Sequence, residues 1–270
     1  MTKKTKYLIE TSAIPVALGE STPRHCEHFN ASVADGALFV SIYVRMEFIR
    51  RWIRDYIKLA ALIDHFRNMA DALDYVNQEF GIRRVKALNH LVSVVLRQEG
   101  EVLNTRAMAV EVARIAVAKL RQFDRDFVSR IPNTCGCRIG GKKLQVDFNV
   151  LFEDLRAFLR SMEVVHDCPV NDFLKLGKPG AAQRLLQHEK ACKTDAGAAL
   201  SKYHAAASHV TCKECQRIGD AVIALEQPNY CCLAHIDRAF NDLCEATGRQ
   251  HKLILSQRAV EKDDAKAKGL

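Results

Sequence analysis

Aromatic residues are scarce, at 7% of the chain with a single Trp. A surface of stacked rings for gripping bases is therefore not advertised, and any grip on nucleic acid should run through the phosphate backbone. Long apolar runs are also missing: none approaches the roughly 20 residues needed to cross a bilayer. The opening segment Met1–Lys6 is basic, but the apolar stretch behind it is too short for a secretory leader and is broken by Glu10. These absences predict a cytoplasmic protein without a membrane partner. No internal repeat is visible, which argues against a stacked array.

What is present is ordinary globular material. The 270 residues are 48% hydrophobic and 27% charged, enough for one large core or a core with an insertion. The formal net charge is +8, a balance that permits an acidic partner such as nucleic acid and says nothing about fold. Ten cysteines in a cytosolic chain point to buried thiols or a metal site rather than to disulfides.

Strand signals cluster at the two ends. Lys6-Tyr7-Leu8-Ile9 and Ala37-Leu38-Phe39-Val40 are short apolar runs with polar or Gly boundaries. Tyr230–Ala234 and Lys252-Leu253-Ile254-Leu255 repeat the pattern late in the chain. Between them the sequence reads as helix. Ser41 is a suitable N-cap for helices over Ile42–Phe66, where apolar residues recur at three- and four-residue steps. Val85, Leu88, Leu91, Val94 and Val95 give one later stripe, and Val110, Val112, Ile115, Ala116 and Leu120 another, with Gly81 and Gly100 as breaks. Pro132-Asn133 marks a turn, and Val164–Cys168 a short strand. Helices are expected over Ala181–His209, Gln216–Glu226 and Asp237–Thr247, and the charged stretch from Ser256 reads as a frayed tail. Strands alternating with helices predict an α/β fold around a mainly parallel sheet. The expected organisation is a core from residues 1–66 and 211–256, a helical insertion over 67–210, and a flexible tail over 257–270.

In such sheets, sites form where strands end and helices begin. Glu10 follows the first strand, Glu47 lies two turns into the helix after the second, and Asp237 follows the third. Asp220 interrupts the apolar segment Ile218–Ala224, where an isolated charge is costly unless paired or metal-bound. Carboxylates gathered in one place repel, and Mg²⁺ or Mn²⁺, which prefer oxygen ligands, relieve that repulsion. By spacing alone, Asp237 reads equally as a helix N-cap and Glu47 as a solvated helix position.

Four blocks carry a resemblance. They are Leu8-Ile9-Glu10-Thr11-Ser12-Ala13, Val40–Phe48 with Ser41 and Glu47, Gly219-Asp220-Ala221-Val222-Ile223-Ala224, and Leu233–Phe240 with Asp237. In this order they resemble the acidic motifs of the PIN-domain family over residues 6–60 and 210–256. The resemblance implies a three-layer PIN-like α/β core and metal-dependent phosphodiester hydrolysis, usually of RNA. It implies Glu10, Glu47, Asp220 and Asp237 as catalytic metal ligands, with the Thr11 and Ser12 hydroxyls assisting. Many small family members are toxins, so an antitoxin-like inhibitor is an expected partner alongside RNA. The chain departs from the family pattern in having Glu10 where Asp is usual and His235 where Thr or Ser is common. The added methylene of Glu10 shifts the carboxylate by about a bond length, whereas catalytic geometry tolerates roughly 0.5 Å.

Cys212-x-x-Cys215 has metal-knuckle spacing. A structural Zn²⁺ site would need two more ligands. Cys192 and Cys168 are the first choice, Cys135 and Cys137 the rivals, and His188, His204 and His209 the substitutes. The competing reading is buried thiols, which is the reading for Cys231, Cys232 and Cys244. Arg45, Arg50, Arg51 and Arg54 surround Glu47, and Arg238 neighbours Asp237. They are candidate phosphate contacts, with Arg83-Arg84 and Gly140-Gly141-Lys142-Lys143 as extensions of the track. The reading is an endoribonuclease using Mg²⁺ or Mn²⁺, with two alternatives: a catalytically inactive nucleic-acid-binding module with structural zinc, or a protein-interaction module. Oligomeric state, sequence preference and the choice of RNA over DNA are left open.

Overall fold

The computed structural model describes residues 4–66, 69–79, 105–127, 130–131, 179–206 and 217–267. The fold is α/β with an all-parallel sheet. Strand β1 (Thr5–Ile9) is central, and Tyr7, Leu8 and Ile9 are all buried. That is the continuous apolar pattern of a parallel strand covered on both faces. One neighbour is β2 (Gly36–Ser41), in register Thr5↔Gly36 through Leu8↔Phe39. The two-residue β3 (Arg130–Ile131) extends the sheet beyond β2. The other neighbour of β1 is β4 (Cys232–His235), followed by β5 (His251–Leu253). The order is therefore β3-β2-β1-β4-β5. The direction of winding reverses between β1 and β4, and the carboxyl ends of strands at such a reversal are where open α/β sheets bind ligands.

The chain divides into two compact units: residues 1–47, 127–138 and 166–270, and residues 48–126 and 139–165. The first holds the whole sheet. Its first crossover is α1 (Ile14–Ala17) and α2 (Pro23–Val33). Pro23 sits where a missing N–H costs nothing, and the Thr22 hydroxyl accepts from the His25 amide at 3.4 Å. Helix α3 (Ile42–Phe48) begins directly after β2, and the Ser41 hydroxyl accepts from the Val44 amide at 3.1 Å, as expected of an N-cap.

The second unit contains a π-helical turn (Ile49–Ile53), α4 (Arg54–Phe66), α5 (Met69–Glu79) and α6 (Thr105–Asp126). Met108, Val112, Ala116 and Leu120 of α6 are buried, while Val110 and Ile115 of the expected stripe are only half-buried. Helices α4 and α6 pack together, and Phe48 stacks on Phe123 with ring centroids 4.8 Å apart.

Helices α7 (Pro179–Gln187) and α8 (Asp195–Ala206) belong to the sheet unit. A 3₁₀ turn (Ala191–Lys193) separates them, so the Ala-rich stretch expected as one helix is broken there. Helix α9 (Gly219–Glu226) is buried from Ala221 to Glu226 and packs on α8 and on α10 (Ala239–Thr247), as its nearly uniform apolar sequence requires. The charged end of the chain, expected as a flexible tail, is instead α11 (Gln257–Ala267). It packs on α2 and buries Val260. The buried His25 ring holds its start: Nε2 donates to the Leu255 carbonyl at 2.9 Å and Nδ1 accepts from the Ser21 hydroxyl at 2.8 Å. Gly81, Gly100, the stripe from Val85, the turn at Pro132 and the strand expected at Val164–Cys168 lie outside the described residues.

Candidate acidic site at the strand reversal

The chain leaves β1 at Glu10, whose amide still donates to the Ala234 carbonyl of β4 at 3.2 Å. Its side chain turns back rather than out to solvent and is 2% exposed. Oε2 accepts from the Ser12 amide at 2.5 Å, and Oε1 accepts from both the Ser12 hydroxyl and, at 3.1 Å, the Ile236 amide. One carboxylate thus ties the ends of β1 and β4 together at the point of reversal. Oε1 has both lone pairs engaged, whereas Oε2 keeps one open.

Thr11, the next residue, serves the second acid. Its hydroxyl donates to Glu47 Oε2 at 2.5 Å. The first 3₁₀ turn, Thr11–Ala13, makes this possible, because it places two consecutive hydroxyls on two different carboxylates. Glu47 reaches the site from the last turn of α3, and its other oxygen, Oε1, lies against the Cα of Gly219 at the start of α9.

Burial pushes the Glu10 carboxyl above its ordinary pKa; the Ser12 and Ile236 hydrogen bonds oppose that shift, and the Glu47 charge adds to it. The consecutive hydroxyls of Thr11 and Ser12, one on each acid, bring the two carboxylates to the same turn. Such a pair favours a shared proton or a bound cation.

The quartet expected from sequence is thus only partly assembled. Glu10 and Glu47 come together through Thr11 and Ser12. Asp220 sits in the first turn of α9, one residue past the glycine that Glu47 touches. Asp237 is exposed, and its Oδ1 accepts from the Ala239 amide at 2.9 Å just ahead of α10, whose N-cap is Arg238 rather than the expected Asp237. Among the described residues, no three His, Cys, Asp or Glu side chains form a metal-binding cluster. Thr11 and Ser12 act here as hydrogen-bond donors to the acids.

His235 stands where the family pattern favours Thr or Ser, and it is fully buried. Its Nδ1 donates to the Asp237 carbonyl at 2.8 Å, so in the neutral ring Nε2 accepts from His251 Nδ1 at 3.2 Å. Burial pulls its pKa down to about 4.

Of the expected zinc ligands, Cys168, Cys212 and Cys215 lie outside the described residues, as do Cys135, Cys137 and His209. Cys192 is a free thiol whose Sγ donates to the Glu189 carbonyl at 3.2 Å. The His188 ring accepts from the Ala191 amide, and His204 is exposed on α8. Cys231 and Cys244 are buried and Cys232 half-buried, the core positions expected, with burial pushing the Cys231 thiol up to about 11 and Cys244 up to about 12. Arg45 is half-buried on α3 and Arg238 exposed beside α10, while the side chains of Arg50, Arg51 and Arg54 lie outside the description, as do Arg83, Arg84 and the Gly140–Lys143 stretch.

Sequence reasoning missed Tyr43, Gly219 and the Ile236 amide as parts of this site. Only Tyr43 carried a legible signal, its four-residue spacing from Glu47 on one helix face. Compared with known proteins, the chain matches no family model, no curated protein and no solved structure.

Proposed function

We propose that this chain is a divalent-metal-dependent phosphodiesterase acting on nucleic acid, first of all an endoribonuclease, built on a PIN-like core. The observation that carries the reading is the Glu10–Glu47 pair: Glu10 almost wholly buried at the carboxyl end of β1, where the winding reverses, and Glu47 brought in on α3 and fixed by the hydroxyl of Thr11, next to Glu10 in sequence. The donor chemistry fits Mg²⁺ or Mn²⁺, which take carboxylate oxygens and keep several waters. Glu10 and Glu47 would hold the ion, with Asp220 as the next candidate. A cation bound there supplies charge neutralisation at a phosphodiester and a water of lowered pKa. The protein's share is orientation. Thr11 holds one Glu47 oxygen, and Ser12 with Ile236 holds Glu10, so neither acid has to search rotamers when a phosphate arrives. Arg45 and Arg238 are the described candidates for guiding the backbone of the strand.

The test is manganese-supported hydrolysis of single-stranded RNA by the full chain. Glu47→Gln and Asp220→Asn should each reduce the rate by about 100-fold or more, as removal of preorganised charge does. Equal rates in Glu47→Gln and the parent would refute the assignment. A second reading, a nucleic-acid-binding module without turnover, is favoured by one observation: Glu10 spends three of its acceptor positions on tying β1 to β4. Salt-sensitive RNA binding with no cleavage in any divalent metal would select it. An antitoxin-like inhibitor and a structural zinc belong to the same proposal, and co-purification and metal content per chain would test them.

A further inference from the structure

Gly219 opens α9, and its N-cap residue, Ile218, makes no side-chain capping bond. The space a side chain would take at Gly219 is already filled. A Cβ built there would stand 2.9 Å from Glu47 Oε1 and 2.9 Å from the Tyr43 hydroxyl oxygen. Tyr43 and Glu47 are four residues apart on α3, so one helix face presents both oxygens to the head of the other helix. Tyr43 is fully buried, so its ring has little freedom to withdraw. Glu47 is pinned through its other oxygen by Thr11. The bare Cα of residue 219 is what lets the positive end of α9 lie this close to a carboxylate.

We propose that Gly219 is a positioning residue: the missing side chain, with Tyr43 beside it, forms the seat that holds the Glu47 carboxylate where Thr11 can reach it. The seat is a property of the fold and stands apart from the nuclease reading; its consequence for rate rests on that reading. A methyl group at 219 meets two side-chain oxygens and no backbone, so the Glu47 carboxylate and the Tyr43 hydroxyl must give rather than the main chain. The expected signature is therefore a folded protein with a misplaced carboxylate.

The full chain, labelled with ¹³C at the glutamate carboxyl carbons, is compared with Gly219→Ala. The Glu47 resonance should move, while the melting temperature falls modestly, because the added methyl meets the fully buried Tyr43 hydroxyl as well as the acid. Manganese-supported RNA cleavage should fall by up to about 100-fold in kcat with KM nearly unchanged, the scale of an ångström misplacement. Gly219→Ala combined with Tyr43→Phe frees the space of the hydroxyl and should return part of the shift. An unmoved Glu47 resonance overturns the proposal. A moved resonance with an intact rate supports the seat and overturns the part given to Glu47 in cleavage, and a Gly219→Ala chain that no longer folds overturns the seat. If the parent chain cleaves no RNA in any metal, the nuclease reading falls, and the resonance alone still decides the seat.

Discussion

His235 is a histidine kept neutral by its surroundings. It is fully buried, its Nδ1 proton is committed to a carbonyl, and its folded pKa is about 4 against an ordinary value near 6.5. The unfolded chain therefore binds a proton that the folded chain refuses. The stability involved is fully present above about pH 6.5 and is lost as pH falls toward 4, amounting to roughly 3 kcal/mol over that window. Glu10 acts in the opposite sense: its folded pKa is raised, so its ionisation costs stability as pH rises through that value. Urea unfolding followed from pH 7 to 4 should show the acid loss, and His235→Asn should flatten it. An unchanged slope in that variant would assign the loss to other groups.

At the scale of elements, contact between β1 and β2 depends on a glycine at the start of β2. A Cβ at Gly36 would overlap the Tyr7 ring and stand 2.8 Å from the Thr5 carbonyl oxygen. Part of that obstruction is backbone, which cannot rotate away. Gly36→Ala should therefore destabilise the sheet unit by about 1–3 kcal/mol, the usual cost of overpacking, measured as a lower urea midpoint at constant m-value. The sequence allowed β1 and β2 to be placed within a residue or so, because buried parallel strands are short, uniformly apolar and bounded by polar or Gly residues. It could not reveal β3, since two residues carry no period. The break between α7 and α8 was hidden in the same way, because alanines satisfy helix and 3₁₀ turn alike. Helix α11 read as a tail because its anchor, Val260, is a single apolar residue among charges, and its partner α2 lies more than 220 residues away in sequence. In the site, Glu10 and Glu47 were legible from strand-end placement, and Asp237 was legible only as one of two roles. Tyr43 and Gly219 were not, because the approach of one helix end to another is a property of packing.

Across the whole molecule, the chain is basic, with a formal charge of +8, and poor in rings for stacking. Binding to RNA should then be led by phosphate contacts and fall by at least about tenfold between 50 and 200 mM salt, read by fluorescence anisotropy of a labelled single strand. An affinity indifferent to salt would mean that the basic balance serves some other purpose. Among the described residues no helix is long and apolar enough to cross a membrane. The two compact units are interleaved in sequence, since residues 48–126 and 139–165 of one lie between segments of the other.

The amide that clamps Glu10 belongs to Ile236, 226 positions further along. During synthesis the acid is made with its serine already beside it and must wait for a strand that follows more than 220 residues later. The Glu10 carboxylate is therefore clamped only once β4 has been made and has paired with β1. Truncated products, even long ones, carry Glu10 without the strand that holds it in place.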